Sequence, residues 1–151
     1  MIYAQHFAQE EFRDWSDDMS PRLVTMLDVL RFRLGSAIAI SASEYALGRN
    51  LGRGKMSEHN IDEWGEVLAV DCFVRGVYNR AQAEAVALEA TAIGFTGIGV
   101  YSDTRNNYGE EQVMFHLGVR PTRMMGRPAK WGRVNGKYTS LLEAIQSLKS
   151  G

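Results

Sequence analysis

The chain has 151 residues, 45% of them hydrophobic and 23% charged, which is typical of one folded domain with a single core. This composition excludes a disordered, collagen-like or disulfide-stapled chain. The 17 basic and 18 acidic side chains leave a net charge of -1, which argues against a nucleic-acid partner. The longest apolar stretches fall far short of the roughly 20 residues of a membrane span, so no membrane partner is expected. The N-terminus lacks the basic start and apolar run of a signal peptide, and the single cysteine, Cys72, fits synthesis in a reducing compartment.

Cap residues and hydrophobic periodicity predict the secondary structure in chain order. The aromatic and acidic N-terminal segment predicts a short turn or helix, and Ser20-Pro21 then begins a helix that ends at Gly35. Beyond that helix, apolar runs predict strands, an alanine-rich pattern predicts a second helix, and Asn135-Gly136 predicts a hairpin. These elements are strands at 37–40, 67–74, 95–101 and 112–119, a helix at 79–93, a hairpin at 130–138 and a C-terminal helix that begins near Thr139-Ser140.

Helices and short strands follow one another without the alternation of βαβ units, which favours an α+β fold. We predict a single domain over residues 1–151, with a small antiparallel sheet flanked by helices. Residues 41–64 carry Gly48, Gly52 and Gly54 and predict a long irregular loop, and such loops in compact domains usually carry function. Met124-Met125 is expected in an exposed turn.

Three residues of metal-ligating type lie in unusual settings. His59 is in the long loop, whereas Asp71 and His116 each interrupt an apolar strand. A buried carboxylate without a partner is unfavourable, so Asp71 requires either a salt bridge or a metal ion. Two histidines and one aspartate with an open fourth position would form a catalytic zinc site with water as the fourth ligand. The alternative is a cytoplasmic domain in which the histidines only satisfy hydrogen bonds of the core.

Several short motifs occur in a characteristic order: Ser57-Glu58-His59, Ala69-Val70-Asp71, Gly97-Ile98-Gly99-Val100-Tyr101, Phe115-His116-Leu117 and Trp131-Gly132. In this order the chain resembles the zinc peptidases of the D-Ala-D-Ala carboxypeptidase and phage endolysin type, over most of its length to about Trp131. Those enzymes carry a Ser-x-His, an Ala-x-Asp and a late Phe-x-His or Phe-His motif, and they cleave peptidoglycan stem peptides. The resemblance implies a DD-peptidase-like fold and a zinc ion held by His59, Asp71 and His116. On this zinc-peptidase interpretation Ser57 and Arg120 would orient the substrate, because Arg120 is the basic residue nearest a metal ligand in the sequence.

The chain also departs from the family's pattern in its binding motifs. Asp71 lies further from the first histidine than in the family, because residues 60–70 intervene. The arginine of the family's Ser-Gly-Tyr-Arg motif is replaced by Glu44, and Arg49 is the candidate substitute. Gly118 stands where the family often has the aspartate of His-x-Asp.

No catalytic base can be assigned from the sequence. Relatives place the base two or three residues before the last histidine, but Val113 and Met114 cannot transfer protons. Three carboxylates of the loop region, Glu58, Asp62 and Glu66, are within reach, and nothing distinguishes among them.

The C-terminal third carries a basic stretch and two aromatic residues near the motifs. The basic stretch is either a solvated face or a cradle for an anionic cell-wall polymer or a substrate carboxylate. Tyr101 and Trp131 are either core aromatics or part of a cleft. The basic residues are Arg120, Arg123, Arg127, Lys130, Arg133 and Lys137.

Two functions of different classes follow. The first is a zinc-dependent carboxypeptidase or endopeptidase that hydrolyses peptide bonds of bacterial peptidoglycan in phage or prophage cell-wall degradation. Such a protein would be made in the bacterial cytoplasm and act at the cell wall after release, or as part of a phage particle. The second is a catalytically impaired structural or cell-wall-binding module that retains the peptidase fold, with other virion proteins as partners. Glu44, Gly118 and the missing base favour the second.

Overall fold

The computed structural model describes residues 5–123 and 127–151, so the turn expected at Met124-Met125 lies outside the described residues. The helices are a 3₁₀ helix at Gln9–Asp18, α1 at Pro21–Leu34, α2 at Ile61–Trp64, α3 at Arg80–Ile93 and α4 at Leu141–Gln146. The strands are β1 at Ile38–Ile40, β2 at Ala69–Val74, β3 at Gly97–Tyr101, β4 at Met114–Gly118, β5 at Ala129–Val134 and β6 at Lys137–Thr139. Among the described residues we find no helix with the length and apolar character of a transmembrane span.

Local side-chain signals account for where the helices and the hairpin begin and end. The Ser20 hydroxyl accepts a hydrogen bond from the Leu23 amide at 3.3 Å and caps α1, as the Ser-Pro pair predicts. Asn79 and Gln82 cap α3 reciprocally. Asn135 and Gly136 both adopt positive φ angles, 51° and 78°, which is the conformation a two-residue hairpin between β5 and β6 requires.

The six strands form one sheet in the order β1-β2-β4-β3-β5-β6. The α+β prediction is confirmed, but the prediction of an antiparallel sheet is wrong: the sheet is mixed, because β5 runs parallel to β3 while the other neighbouring strands are antiparallel. The parallel pair has a simple cause in the topology. Gly97, the first residue of β3, is the register partner both of Gly118, where β4 ends, and of Ala129, where β5 begins. β5 therefore begins at the same end of the sheet at which β4 stops, but on the other side of β3, and so it runs parallel to β3.

The two faces of the sheet have different roles. One face is apolar and packs with α1 and α3 into a single hydrophobic core, in which Cys72 is buried and, as expected, points away from Asp71. The other face carries a row of register partners on four adjacent strands, and this row positions the candidate site. It consists of Asp71 on β2, His116 on β4, Gly99 on β3 and Trp131 on β5.

Candidate metal centre

The sheet and the long loop bring the three predicted ligands together. Asp71 and His116 are direct register partners on antiparallel strands, so their side chains project from the same face. His59 comes from the loop, whose backbone is fixed on both sides. The Arg49 amide donates to the His59 carbonyl at 2.8 Å, and the Leu68 amide donates to the Glu58 carbonyl at 3.0 Å.

The spacing of the three side chains fits a metal ion. Asp71 Oδ1 lies 3.4 Å from His59 Nε2 and 3.1 Å from His116 Nδ1. The three potential ligand atoms all lie within 4.8 Å of one another. Ligand atoms at 2.0–2.1 Å from a tetrahedral zinc are separated from one another by ~3.3 Å. The buried His59–Asp71–His116 group could therefore hold a metal ion.

The hydrogen bonds of the two imidazoles determine which ring nitrogens are free. His59 Nδ1 lies 2.5 Å from the Leu47 carbonyl oxygen, which only accepts, so Nδ1 carries the proton. In the neutral ring, the lone pair of Nε2 then faces an oxygen of the Asp71 carboxylate. His116 has a carboxylate at each nitrogen, Asp71 at Nδ1 and Glu58 at Nε2. At His59 a positive species, either an added proton or a metal ion, must lie between Nε2 and the Asp71 carboxylate, whereas the neutral ring of His116 can donate to only one of its two carboxylates.

The same contacts shift the ionisation of the group. Burial alone would raise the pKa of Asp71, but the two histidines outweigh it and hold that pKa well below its usual range. Burial would lower the pKa of His116, whereas the Asp71 and Glu58 carboxylates raise it to about 9. Without a metal, both carboxylates therefore favour the protonated form of His116, and a proton on Nδ1 lies where a metal would bind.

Glu58 is the site residue that the sequence did not single out. It is buried, its Oε1 accepts a hydrogen bond from Arg123 Nη1 at 2.7 Å, and the same oxygen lies 3.5 Å from His116 Nε2. Burial raises the pKa of Glu58, but His116 and Arg123 together lower it below the ordinary value. The sequence held one indication of this arrangement. Gly118 stands where the family often has an aspartate, so a carboxylate near His116 had to come from another segment.

The group opens into a cavity of about 440 Å³. Trp131 and Tyr101 line it, in agreement with the cleft interpretation, and the Trp131 ring lies 4.9 Å from the His116 ring. Gly99 lies between these two rings in the register, and a Cβ at this position would lie 2.7 Å from Trp131 Nε1. Arginines from three different segments also line the cavity: Arg49, Arg123 and Arg133.

The two residues expected to orient substrate are placed differently. Ser57 lines the cavity, and its hydroxyl accepts from the His59 amide at 3.3 Å. The guanidinium of Arg120 instead stacks over the Trp64 ring at 5.1 Å and donates to Thr122, away from the lining residues. Trp64 belongs to α2, which forms from the intervening residues 60–70, and its indole donates to the Ser57 carbonyl at 3.0 Å. This hydrogen bond links α2 to the loop two residues before His59.

Comparisons with family models, with curated proteins and with solved structures found no match to this chain. The arguments for its function therefore come from the geometry of the site and from the motifs of the sequence.

Proposed function

We propose that this chain is a zinc-dependent peptidase of the D-Ala-D-Ala carboxypeptidase and phage endolysin type, which hydrolyses peptide bonds in the stem peptides of bacterial peptidoglycan. Such a protein acts at the cell wall after release from the host cytoplasm, or as part of a phage particle. The observation that carries the proposal is the arrangement of His59 and His116 around a single oxygen of Asp71, next to an arginine-lined cavity.

The choice of zinc rests on the donor set. Two neutral imidazole nitrogens and one carboxylate oxygen are ligands that zinc binds in catalytic sites, with the fourth position left open. When bound, zinc would supply Lewis-acid polarisation of a carbonyl and a lowered pKa for a coordinated water. Asp71 retains 14% side-chain exposure and lines the cavity, so the ligand group is accessible from the cavity.

Tyr101 and Arg49 provide groups that suit a peptide substrate. The Tyr101 oxygen accepts from Trp131 Nε1 at 2.8 Å, so its own hydrogen remains free to donate to a carbonyl oxygen in the cavity. Burial raises the pKa of Tyr101 to about 12, which keeps that hydrogen in place at neutral pH.

Arg49 is suited to bind a substrate carboxylate. Arg123 is paired with Glu58, and Arg133 is paired with Asp103 at 3.1 Å. The Arg49 guanidinium donates only to the Tyr45 carbonyl and lies over the Tyr45 ring, with no ion pair to a carboxylate among the described residues. These are the contacts of the guanidinium, since the Arg49 backbone amide donates to the His59 carbonyl, and the charge of the guanidinium is therefore available to the free C-terminus of a stem peptide.

One observation favours the second function, a structural or wall-binding module that retains the site without cleaving. Of the described residues that line the cavity, only Glu58 and Asp71 carry carboxylates. Asp71 is in the ligand group, and Glu58 is held by Arg123. Neither is free to take a proton from water, as hydrolysis at a metal requires.

Two measurements on the purified protein test these proposals. Elemental analysis should find one zinc per chain, which is lost in His59→Ala and in His116→Ala. His6→Ala is the matched control, because His6 stacks on Phe32 outside the site and its loss should leave the zinc content unchanged. Purified peptidoglycan should then release new amino termini with the zinc-loaded protein and none with His116→Ala. Sedimentation with the wall but no release would support the binding module, and absence of zinc from the wild type after zinc is offered would refute the metal site.

A further inference from the structure

Two strands leave space for the Glu58 carboxylate. Gly97 and Gly118 are register partners on β3 and β4, and both lack a side chain on the face that carries the site. A Cβ atom on Gly118 would overlap Oε2 of Glu58, and a Cβ atom on Gly97 would lie 2.7 Å from Oε1. The carboxylate of a loop residue thus occupies the space of two missing strand side chains. Neither strand glycine is needed for a turn, so this space is the physical reason for both.

The contacts of the Glu58 carboxylate place it next to one ring nitrogen, His116 Nε2. Oε1 of Glu58 accepts from Arg123 and lies 3.5 Å from His116 Nε2. Both His116 Nε2 and Glu58 Oε2 are buried without a hydrogen-bond partner among the described residues. A buried N–H needs an acceptor, and the Glu58 carboxylate is the acceptor beside it. Arg123 balances the negative charge, which makes an ionised carboxylate tolerable at this depth.

We propose that Glu58 is a positioning residue that holds the proton of His116 on Nε2, so that Nδ1 presents its lone pair to the metal. This inference rests on the metal site of the proposed function. Histidines that bind metals commonly donate their other N–H to a carboxylate, which fixes the tautomer and the orientation of the ring. Here the carboxylate comes from the residue next to another ligand, His59. One segment of the loop therefore supplies a ligand and also orients a second ligand on a strand.

The position of Glu58 makes it a poor catalytic base. It contacts the Nε2 edge of the His116 ring, whereas the metal-facing nitrogen, Nδ1, is on the edge that faces Asp71 at 3.1 Å. The imidazole therefore lies between Glu58 and the metal position. Its effect on activity passes through His116, and its first consequence is on metal affinity.

The test measures zinc affinity by competition with a chelator of known affinity. Glu58→Ala should bind zinc 10- to 100-fold more weakly than the wild type, the usual loss for a carboxylate behind a ligating histidine. Glu58→Gln keeps an acceptor oxygen without the charge, so a loss of about 10-fold, at the lower end of the same range, is expected. Glu66→Gln is the matched control, because it removes a carboxylate of the same region that does not line the cavity, and its zinc affinity should equal that of the wild type.

A second variant and a spectroscopic measurement separate positioning from general stability. Glu58→Ala combined with Gly118→Asp moves the carboxylate from the loop to the strand and should recover most of the lost affinity. Nitrogen NMR of His116 should show Nε2 protonated and Nδ1 bound to zinc in the wild type, and a loss of this preference in Glu58→Ala. Wild-type affinity in both Glu58 variants would overturn the positioning role, and Glu58→Gln decides if Glu58→Ala does not fold. A wild type that binds no zinc would instead overturn the metal site itself.

Discussion

The proposed zinc ion would have to displace a proton from His116, so zinc affinity should rise with pH far above the range of an ordinary histidine. Asp71 and Glu58 raise the pKa of His116 to about 9. Below that pH, each unit of added acidity leaves ten times less of the site in the unprotonated form, and only this form can bind metal at Nδ1. The affinity of the whole protein should therefore follow the deprotonation of this one ring.

The magnitude follows from the position of that pKa. Between pH 6.5 and 8.5 the unprotonated fraction of a group with a pKa of about 9 grows by ~80-fold, and zinc should bind tighter by the same factor. A histidine with the unperturbed pKa of about 6.5 would gain only ~2-fold over the same interval. The two expectations differ by more than an order of magnitude, well outside the error of a competition titration.

The assay is a zinc titration against a chelator whose own pH dependence is known, repeated at half-unit steps of pH. Calorimetry at pH 6.5 in two buffers of different ionisation enthalpy should show release of about one proton from His116 per zinc, in addition to any proton from His59. Glu58→Gln removes one of the two carboxylates that raise the pKa of His116, so its affinity should level off at a lower pH than that of the wild type. An affinity that is already level between pH 6.5 and 8.5 would refute the reasoning.

Three further predictions address stability and substrate recognition. Because the pKa of His116 is raised in the folded state, the metal-free protein should be stabilised below pH 6.5 and should lose that contribution as the pH rises through about 9. Saturating zinc should make this loss of stability smaller. Thermal melts with and without chelator measure the effect, and identical pH profiles would contradict it. Arg49→Gln should raise KM by ~10- to 100-fold for peptides with a free C-terminus, the loss of a charge-assisted hydrogen bond, and an equal effect on amidated peptides would argue against carboxylate recognition. Leu27→Ala should lower the free energy of unfolding, measured in urea, by about 2–5 kcal/mol because Leu27 is fully buried. The control Leu88→Ala, at an exposed position, should change it by less than ~0.5 kcal/mol. Equal losses of stability in the two variants would place Leu27 outside the core.

The elements of the fold could be predicted wherever the determining signal is local. Ser20-Pro21 and Asn135-Gly136 act through their own backbone and their near neighbours, so the start of α1 and the hairpin were predictable. The pairing of β5 with β3 depends on which edge of the sheet the chain reaches after β4, and no short segment encodes that choice. A mixed sheet could therefore not be distinguished from an antiparallel one in advance.

The candidate site likewise contains residues that could be predicted from the sequence and contacts that could not. His59, Asp71 and His116 were recognisable because polar residues in apolar or glycine-rich settings need partners, and the structure brings these three together. The contacts that fix the two imidazoles come from the Leu47 carbonyl and from Glu58, which depend on how the loop folds over the sheet. Arginine positions were likewise decided by tertiary packing, which places Arg120 on Trp64 and Arg49 in the cavity.

Two parts of the structure contribute different groups to the lining of the cavity. The ligand group comes from the loop, β2 and β4, whereas the β5–β6 hairpin supplies Trp131, Arg133 and Tyr138. Along the sheet, β3 lies between β4 and the hairpin. Under the proposed function, exchanging hairpin side chains would change which peptide fits the wall of the cleft and would leave the three residues of the proposed metal site unchanged. The architecture therefore separates the residues proposed to select a substrate from those proposed to hold the metal.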